Sequence, residues 1–201
     1  AVTWAEFGTS ANMAMSVLPA LSIGVYEVLA EHGDQDLIDY FATHLAKGEW
    51  AGTMCLTEPH AGTDLGIITS KAEPQEDGTY RVSGTKIFIT YGEHDLAENI
   101  IHLVLAKTPG APEGTKGISL FLVPKFMPSE WKSGSVDGLS HDILDTHNGV
   151  TCSGSEEKMG IHASPTCVMN FDGARGWLVG KEHKGLAGIF TMMNKERLFV
   201  G

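Results

Sequence analysis

The hydrophobic period of this chain changes near residue 50, and that change limits its folds more than any other feature. Before it, Ala11–Gly33 carries Met15, Leu18, Ser22, Val25, Val28 and Leu29 at near-helical spacing, with Pro19 expected to bend or divide the helix. Gly33 reads as a C-cap, and Asp34 as the N-cap of a second helix that Gly48 closes. After residue 50 the period becomes that of strands. "AGTMCLTE" is one, and "EDGTYRVSGTKIFIT" places a hairpin turn at Asp77-Gly78 before a β-rich run ending at Thr90. "NIIHLVLAKT" and "GISLFLVP" are apolar on both faces, as central strands are. "EEKMGIHASPTCVMNFDGARGWLVG" is expected to supply two or three more. Closely spaced strands between helical ends predict an α+β chain: a compact antiparallel β-barrel or sandwich flanked by helices. The chain begins inside one helical pattern and stops inside another, "GLAGIFTMMNKERLFVG", so it reads as a fragment of a longer protein.

Charge and cysteine content exclude some functions. With a net charge of -11, and with Lys181/Lys184 and Lys195/Arg197 diluted by Glu182 and Glu196, the chain lacks the clustered cations that nucleic acid requires. Those lysines and Arg197 could still hold one small anion. Three cysteines, Cys55, Cys152 and Cys167, are too few for a disulfide scaffold and point to a reducing cytoplasm. No apolar run is read as membrane-spanning, and no signal peptide is visible. G-x-G-x-x-G after a strand, the P-loop motif and G-x-S-x-G are all missing. The metal-like cluster His141, Asp142, Asp145 and His147 reads better as a polar surface loop, so no metal is expected. It lies in Lys125–Gly154, a connection long enough that it should pack on the barrel or on a partner chain.

The stretch "MCLTEPHAGTD", Met54 to Asp64, combines a strand end, a rigid Glu58-Pro59 break and a small-residue turn. On the residues alone this has two readings. Pro59 and Gly62 could simply turn the chain, with Thr63-Asp64 capping the next segment. Alternatively, Gly62 lets successive N–H groups line a concavity for phosphate oxygens, with Thr63 and Thr57 adding hydroxyl donors.

Four motifs in order, "CLTEPHAGTD", "GTKIFIT", "EEKMGIHASPTCVMNFDG" and "GKEHKGLAGIFTMMNKERL", together resemble the acyl-CoA dehydrogenase family from about Ala11 to Gly201. The resemblance implies the end of an N-terminal helical domain over residues 1–49. It implies a middle β-barrel domain binding FAD and acyl-CoA over 50–182, and the first helix of a C-terminal helical domain over 183–201. It implies that Met54, Leu56 and Thr57 line the flavin and that Gly62 and Thr63 meet its pyrophosphate. Phe88, Ile89 and Thr90 would lie along the ring, with Thr90 near the hydride-accepting N5. Phe88 stands where the family commonly has Trp, which gives less stacking area and no indole N–H. Thr63, Asn194 and Arg197 are implied to touch the acyl-CoA substrate, although many members have Asp at the Asn194 position.

The implied reaction is α,β-desaturation of a thioester, with a carboxylate as base. Most members carry that Glu in the C-terminal domain. A minority place it directly before the Arg, where Glu196 stands. An electron-transfer flavoprotein as acceptor and a homodimer or homotetramer are implied by the same resemblance. The alternatives are an oxidase or monooxygenase relative and a non-catalytic binding module of the same fold.

Overall fold

The computed structural model describes residues 2–128 and 144–200. The period change marks a real boundary. Helix α1 (Val2–His32) leads to a short helix α2 (Gln35–Leu37), a π-helical turn (Ile38–Ala42) and α3 (Thr43–Lys47), and β1 (Trp50–Cys55) then begins the sheet. Asp34 caps α2, its carboxylate accepting from the Leu37 N–H at 2.9 Å. Gly48, at φ +75°, ends α3 in the left-handed conformation that glycine adopts without steric cost.

Two expectations for α1 need correction. The helix runs through Pro19, and its break falls at Asn12 (φ -159°, ψ 91°), whose side chain caps the next segment by accepting from the Met15 N–H at 3.1 Å. Furthermore, Glu6–His32 is, by length and composition, a helix long and apolar enough to cross a membrane. In this fold one face of it is core: Val25, Val28 and Leu29 are fully buried. It lies so close to β1 that a Cβ on Gly52 would come within 2.6 Å of Val25 Cγ2.

The remaining strands are β2 (Lys71–Pro74), β3 (Tyr80–Thr90), β4 (Asn99–Lys107), β5 (Ile118–Pro124), β6 (Phe126–Pro128), β7 (Leu144–His147), β8 (Val150–Ser155) and β9 (Thr166–Leu178). Strands β4, β5, β9, β3 and β2 pair successively, and a parallel contact between Lys71 and Lys107 brings β2 back to β4, closing a ring. The barrel is antiparallel except where β4 meets β1 and β2. β8 flanks β9, while β6 and β7 form a separate ribbon. The segment expected to hold two or three strands contributes a single long one, β9. It serves two neighbours on one edge, β8 at its start and β5 at its end. The centre of the Lys125–Gly154 segment, with His141 and Asp142 and the Asp145 side chain, lies outside the described residues; among those described, no group of three or more His, Cys, Asp or Glu could hold a metal ion.

Both faces of β4 and β5 are apolar because each faces a different core. Ile101, Leu103, Leu105, Leu120 and Leu122 pack with the helices, whereas Val104, Ala106, Phe121 and Val123 fill the barrel. Helix α4 (Gly185–Val200) comes after the barrel and lies against β5 and α1, meeting α1 where Gly24 leaves room for Met192.

Candidate functional site

β1 ends at Cys55, and the chain continues through Leu56 and Thr57 before turning back at Glu58. Pro59 fixes φ in that turn. Glu58 and Ala61 close it by exchanging backbone hydrogen bonds of 2.9 and 3.0 Å. Asp64 then accepts from the Gly66 N–H at 2.8 Å and opens a 3₁₀ turn, Leu65–Ile67. Gly62 does not occupy the left-handed region, and a Cβ there would sit 3.6 Å from the Thr57 methyl group, an ordinary contact. The chain conformation therefore does not itself demand glycine at 62, contrary to the argument from backbone freedom.

β3 runs alongside this loop. The Ile87 N–H donates to the Thr57 carbonyl at 2.9 Å. Between Lys86, opposite Met169, and Ile89, opposite Cys167, the register with β9 slips. Ile87 and Phe88 thus face one partner residue in a β-bulge, a device that re-aims a side chain. Phe88 sits at φ +60° and is 58% exposed. A bulky residue there is strained, and such outliers cluster at functional sites. Ile89 turns inward and packs in the barrel beside Cys55 and Val104. Thr90 is half-buried and pairs with Thr166. Tyr91, also at positive φ, anchors the strand end to α1 by donating its hydroxyl to the Ala14 carbonyl at 2.5 Å.

The structure thus brings Thr57, Gly62 and the Phe88 bulge together. Met54 and Leu56 pack with the helix-side core. The hydroxyls of Thr57, Thr63 and Thr90 make no side-chain hydrogen bond among the described residues, which leaves three donors for a ligand.

α4 divides the remaining candidates. Asn194 and Arg197 are exposed and hydrogen-bonded to each other at 3.2 Å, with the guanidinium 5.5 Å from the Phe190 ring centre. Glu196 is half-buried, and burial together with the nearby Glu27 carboxylate of α1 pushes its pKa up. Among the described residues no hydrogen bond or ion pair joins these three to the Thr57–Thr90 group. A cleft of about 450 Å³ lies elsewhere, between the end of α1, the end of β9 and the start of α4; Lys181 and Lys184 line it, and none of the residues implied to meet flavin or acyl-CoA does.

The sequence reading missed the best-partnered polar group beneath the loop. Glu58 is 2% exposed and Lys86 fully buried, 2.9 Å apart. Oε1 of Glu58 also accepts from the Ser70 N–H (3.0 Å) and hydroxyl (2.6 Å), and Oε2 from the Thr69 N–H (2.7 Å) and hydroxyl (2.9 Å). Lys86 Nζ donates in addition to the Leu56 carbonyl at 3.0 Å. Burial alone would raise the Glu58 pKa, but the Lys86 ammonium, the Ser70 hydroxyl and the Thr69 N–H outweigh it and hold the carboxyl at about 2. A signal was available. Lys86 shares strand parity with buried Val82, and a lysine in the inward phase of a strand requires a buried carboxylate.

Comparison with known proteins gives this geometry a context. The acyl-CoA dehydrogenase middle-domain family matches residues 53–174. The chain is 47% identical, over 98% of its length and 32% of the other's, to 3-methylmercaptopropionyl-CoA dehydrogenase of Ruegeria pomeroyi. It is 42% identical to a butyryl-CoA dehydrogenase of Syntrophomonas wolfei over 98% of this chain and 32% of that one. Its fold matches butyryl-CoA dehydrogenase of Megasphaera elsdenii with a TM-score of 0.71 at 25% identity, over 94% of this chain and 44% of the other. The chain spans about a third of the length of the curated relatives it matches.

Proposed function

The chain belongs to the acyl-CoA dehydrogenase family, and from that premise we propose that it forms the flavin-facing part of an FAD-dependent enzyme that α,β-desaturates an acyl-CoA thioester. In this reading residues 1–49 end an N-terminal helical domain, 50–182 form the middle barrel and 183–201 begin a C-terminal helical domain. The observation that carries it is the set of Thr57, Thr63 and Thr90 hydroxyls, which have no partner among the described residues, together with the strained, outward-facing Phe88 two residues before Thr90.

Thr57 and Thr90 would donate to the polar edge of the flavin ring, Thr63 to the pyrophosphate, and Phe88 would cover part of the ring face. FAD, when bound, supplies a hydride acceptor for the β-hydrogen of the substrate. Asn194 and Arg197, exposed on α4, are available to the acyl-CoA. Glu196 has the raised pKa expected of a base, but its neighbour is Glu27 of α1. We therefore assign it to the α1–α4 contact and place the base elsewhere in the full-length enzyme. An electron-transfer flavoprotein as acceptor, assembly as a homodimer or homotetramer, and a cytoplasmic setting belong to the same proposal.

The full-length protein should show flavin absorption bands, and Thr57→Val with Thr63→Val should weaken FAD binding. Each lost donor leaves an acceptor unpaired, at about 1–3 kcal/mol where the partner stays buried. A double variant that holds FAD as tightly as the parent would show the contacts to be misassigned. Glu196→Gln should leave the rate of substrate-driven flavin reduction within a few-fold. A loss of several orders of magnitude at unchanged flavin content would move the base to Glu196.

A further inference from the structure

The Glu58–Lys86 pair is almost fully buried. Desolvating two charges offsets much of their mutual attraction, and apolar residues of similar volume often serve stability as well or better. The bonds of this pair supply another reason for its presence. Lys86 Nζ reaches the Leu56 carbonyl, one residue before Thr57, as well as the Glu58 carboxylate, one residue after it. Lys86 is also the last residue in register before the bulge, and the next N–H along β3 donates to the Thr57 carbonyl. One ammonium is thereby bonded to both sides of Thr57 while its own backbone leads into the segment that carries Phe88 and Thr90. A residue held at positive φ persists only where its surroundings over-determine it. Phe88 has this anchor on one side and the Ile89–Cys167 pairing on the other.

Resting on the flavin reading of Thr57, Phe88 and Thr90, we propose that Glu58 and Lys86 are positioning residues for the cofactor. They set the separation between Thr57 and the Ile87–Phe88 bulge and hold Phe88 in the conformation that turns its ring outward. Neither side chain touches the ligand; both act through the Leu56–Glu58 backbone and the start of the bulge.

The test uses Glu58→Gln, Lys86→Met and the double variant in the full-length flavoprotein, with three readouts: urea unfolding, FAD dissociation and the visible flavin spectrum. Each single variant leaves one buried group without its partner and should lose stability, whereas the double variant removes both charges and should recover most of it. A purely structural pair would then also recover FAD binding. The proposal expects instead that the folded double variant binds FAD about tenfold more weakly, with a shifted flavin spectrum. Parental affinity and spectrum in a double variant of restored stability would overturn it. Should that variant not fold, Glu58→Asp is read in its place. It keeps the charge but shortens its reach, and FAD affinity should fall several-fold; an unchanged affinity and spectrum would again overturn the proposal. Parent protein carrying no flavin would overturn the flavin reading itself, an outcome visible before any variant is made.

Discussion

Two regions of this barrel bury polar groups on different terms. Under the Thr57 loop, Glu58 stays ionised and is fully engaged by Lys86, Thr69 and Ser70. In the barrel interior, His102 is equally buried but has only Thr53, with Oγ1 2.7 Å from Nδ1, and a weaker approach of Cys55 Sγ at 3.8 Å. Its Nε2 has no partner among the described residues, and the ring stands edge-on to Phe171 at 5.7 Å. Burial drives its pKa down to about 3. The difference lies in spare backbone dipoles. The link between the 3₁₀ turn and β2 leaves the Thr69 and Ser70 N–H groups free to face a carboxylate, whereas along β4 the peptide groups are used by pairing with β1 and β5. A charge survives burial where unpaired donors converge on it; elsewhere the group stays neutral.

The largest effect should come from breaking the charged region. Lys86→Met alone strands the Glu58 carboxylate and should cost about 3–5 kcal/mol in urea unfolding; a loss under about 1 kcal/mol would erase the distinction between the two regions. The neutral region should reveal itself through pH. Below 6.5 the unfolded chain protonates His102 while the fold keeps it neutral down to about 3. Its contribution is therefore complete above pH 6.5 and declines across that window as pH falls, by at most about 1.4 kcal/mol per unit. Glu58 acts lower: its contribution is complete above 4.5 and is lost as pH falls through about 2. Unfolding at pH 7 and pH 5 should separate the two, because His102→Gln should flatten the difference; an unchanged slope would show that His102 is not its source. The smallest effect belongs to the exposed edge. Thr57→Val and Thr63→Val should shift stability of the ligand-free protein by no more than about 0.5 kcal/mol, since neither hydroxyl has a partner among the described residues to lose.

What could be read from the residues was mostly local. Asp34 and Gly48 act within one turn, as does Asp77, whose carboxylate takes the Thr79 N–H at 3.0 Å. The doubly apolar β4 and β5 declared themselves by composition. What escaped depends on partners far along the chain. Nothing in "KIFIT" encodes a bulge, because Ile87 and Phe88 lose register only against β9. Glu58 and Lys86 both lie inside recognisable motifs, yet their pairing needs two segments to be placed side by side. Pro19 was the expected point of bending in α1, but the cap offered by Asn12 decided where the helix breaks. For the candidate site, the motif indicated Thr57, Thr63 and Thr90, while Ile89 belongs with its side chain to the barrel interior.

The dual pairing of β9 also has a kinetic side. β3 finds its partner there, Tyr80 opposite Gly176, and β5, already paired with β4, meets β9 through Phe121–Leu178 and Leu122–Trp177. Contacts so distant in sequence must meet a large loop-closure entropy before they are rewarded, which places this barrel among slow-folding topologies. On a ribosome adding roughly 5–20 residues per second, β3 and β5 wait on the order of seconds with open edges before β9 emerges. During that interval the nascent chain is a half-barrel open to mispairing, so the yield of folded protein should respond to slower translation or chaperone supply more than equilibrium stability would suggest.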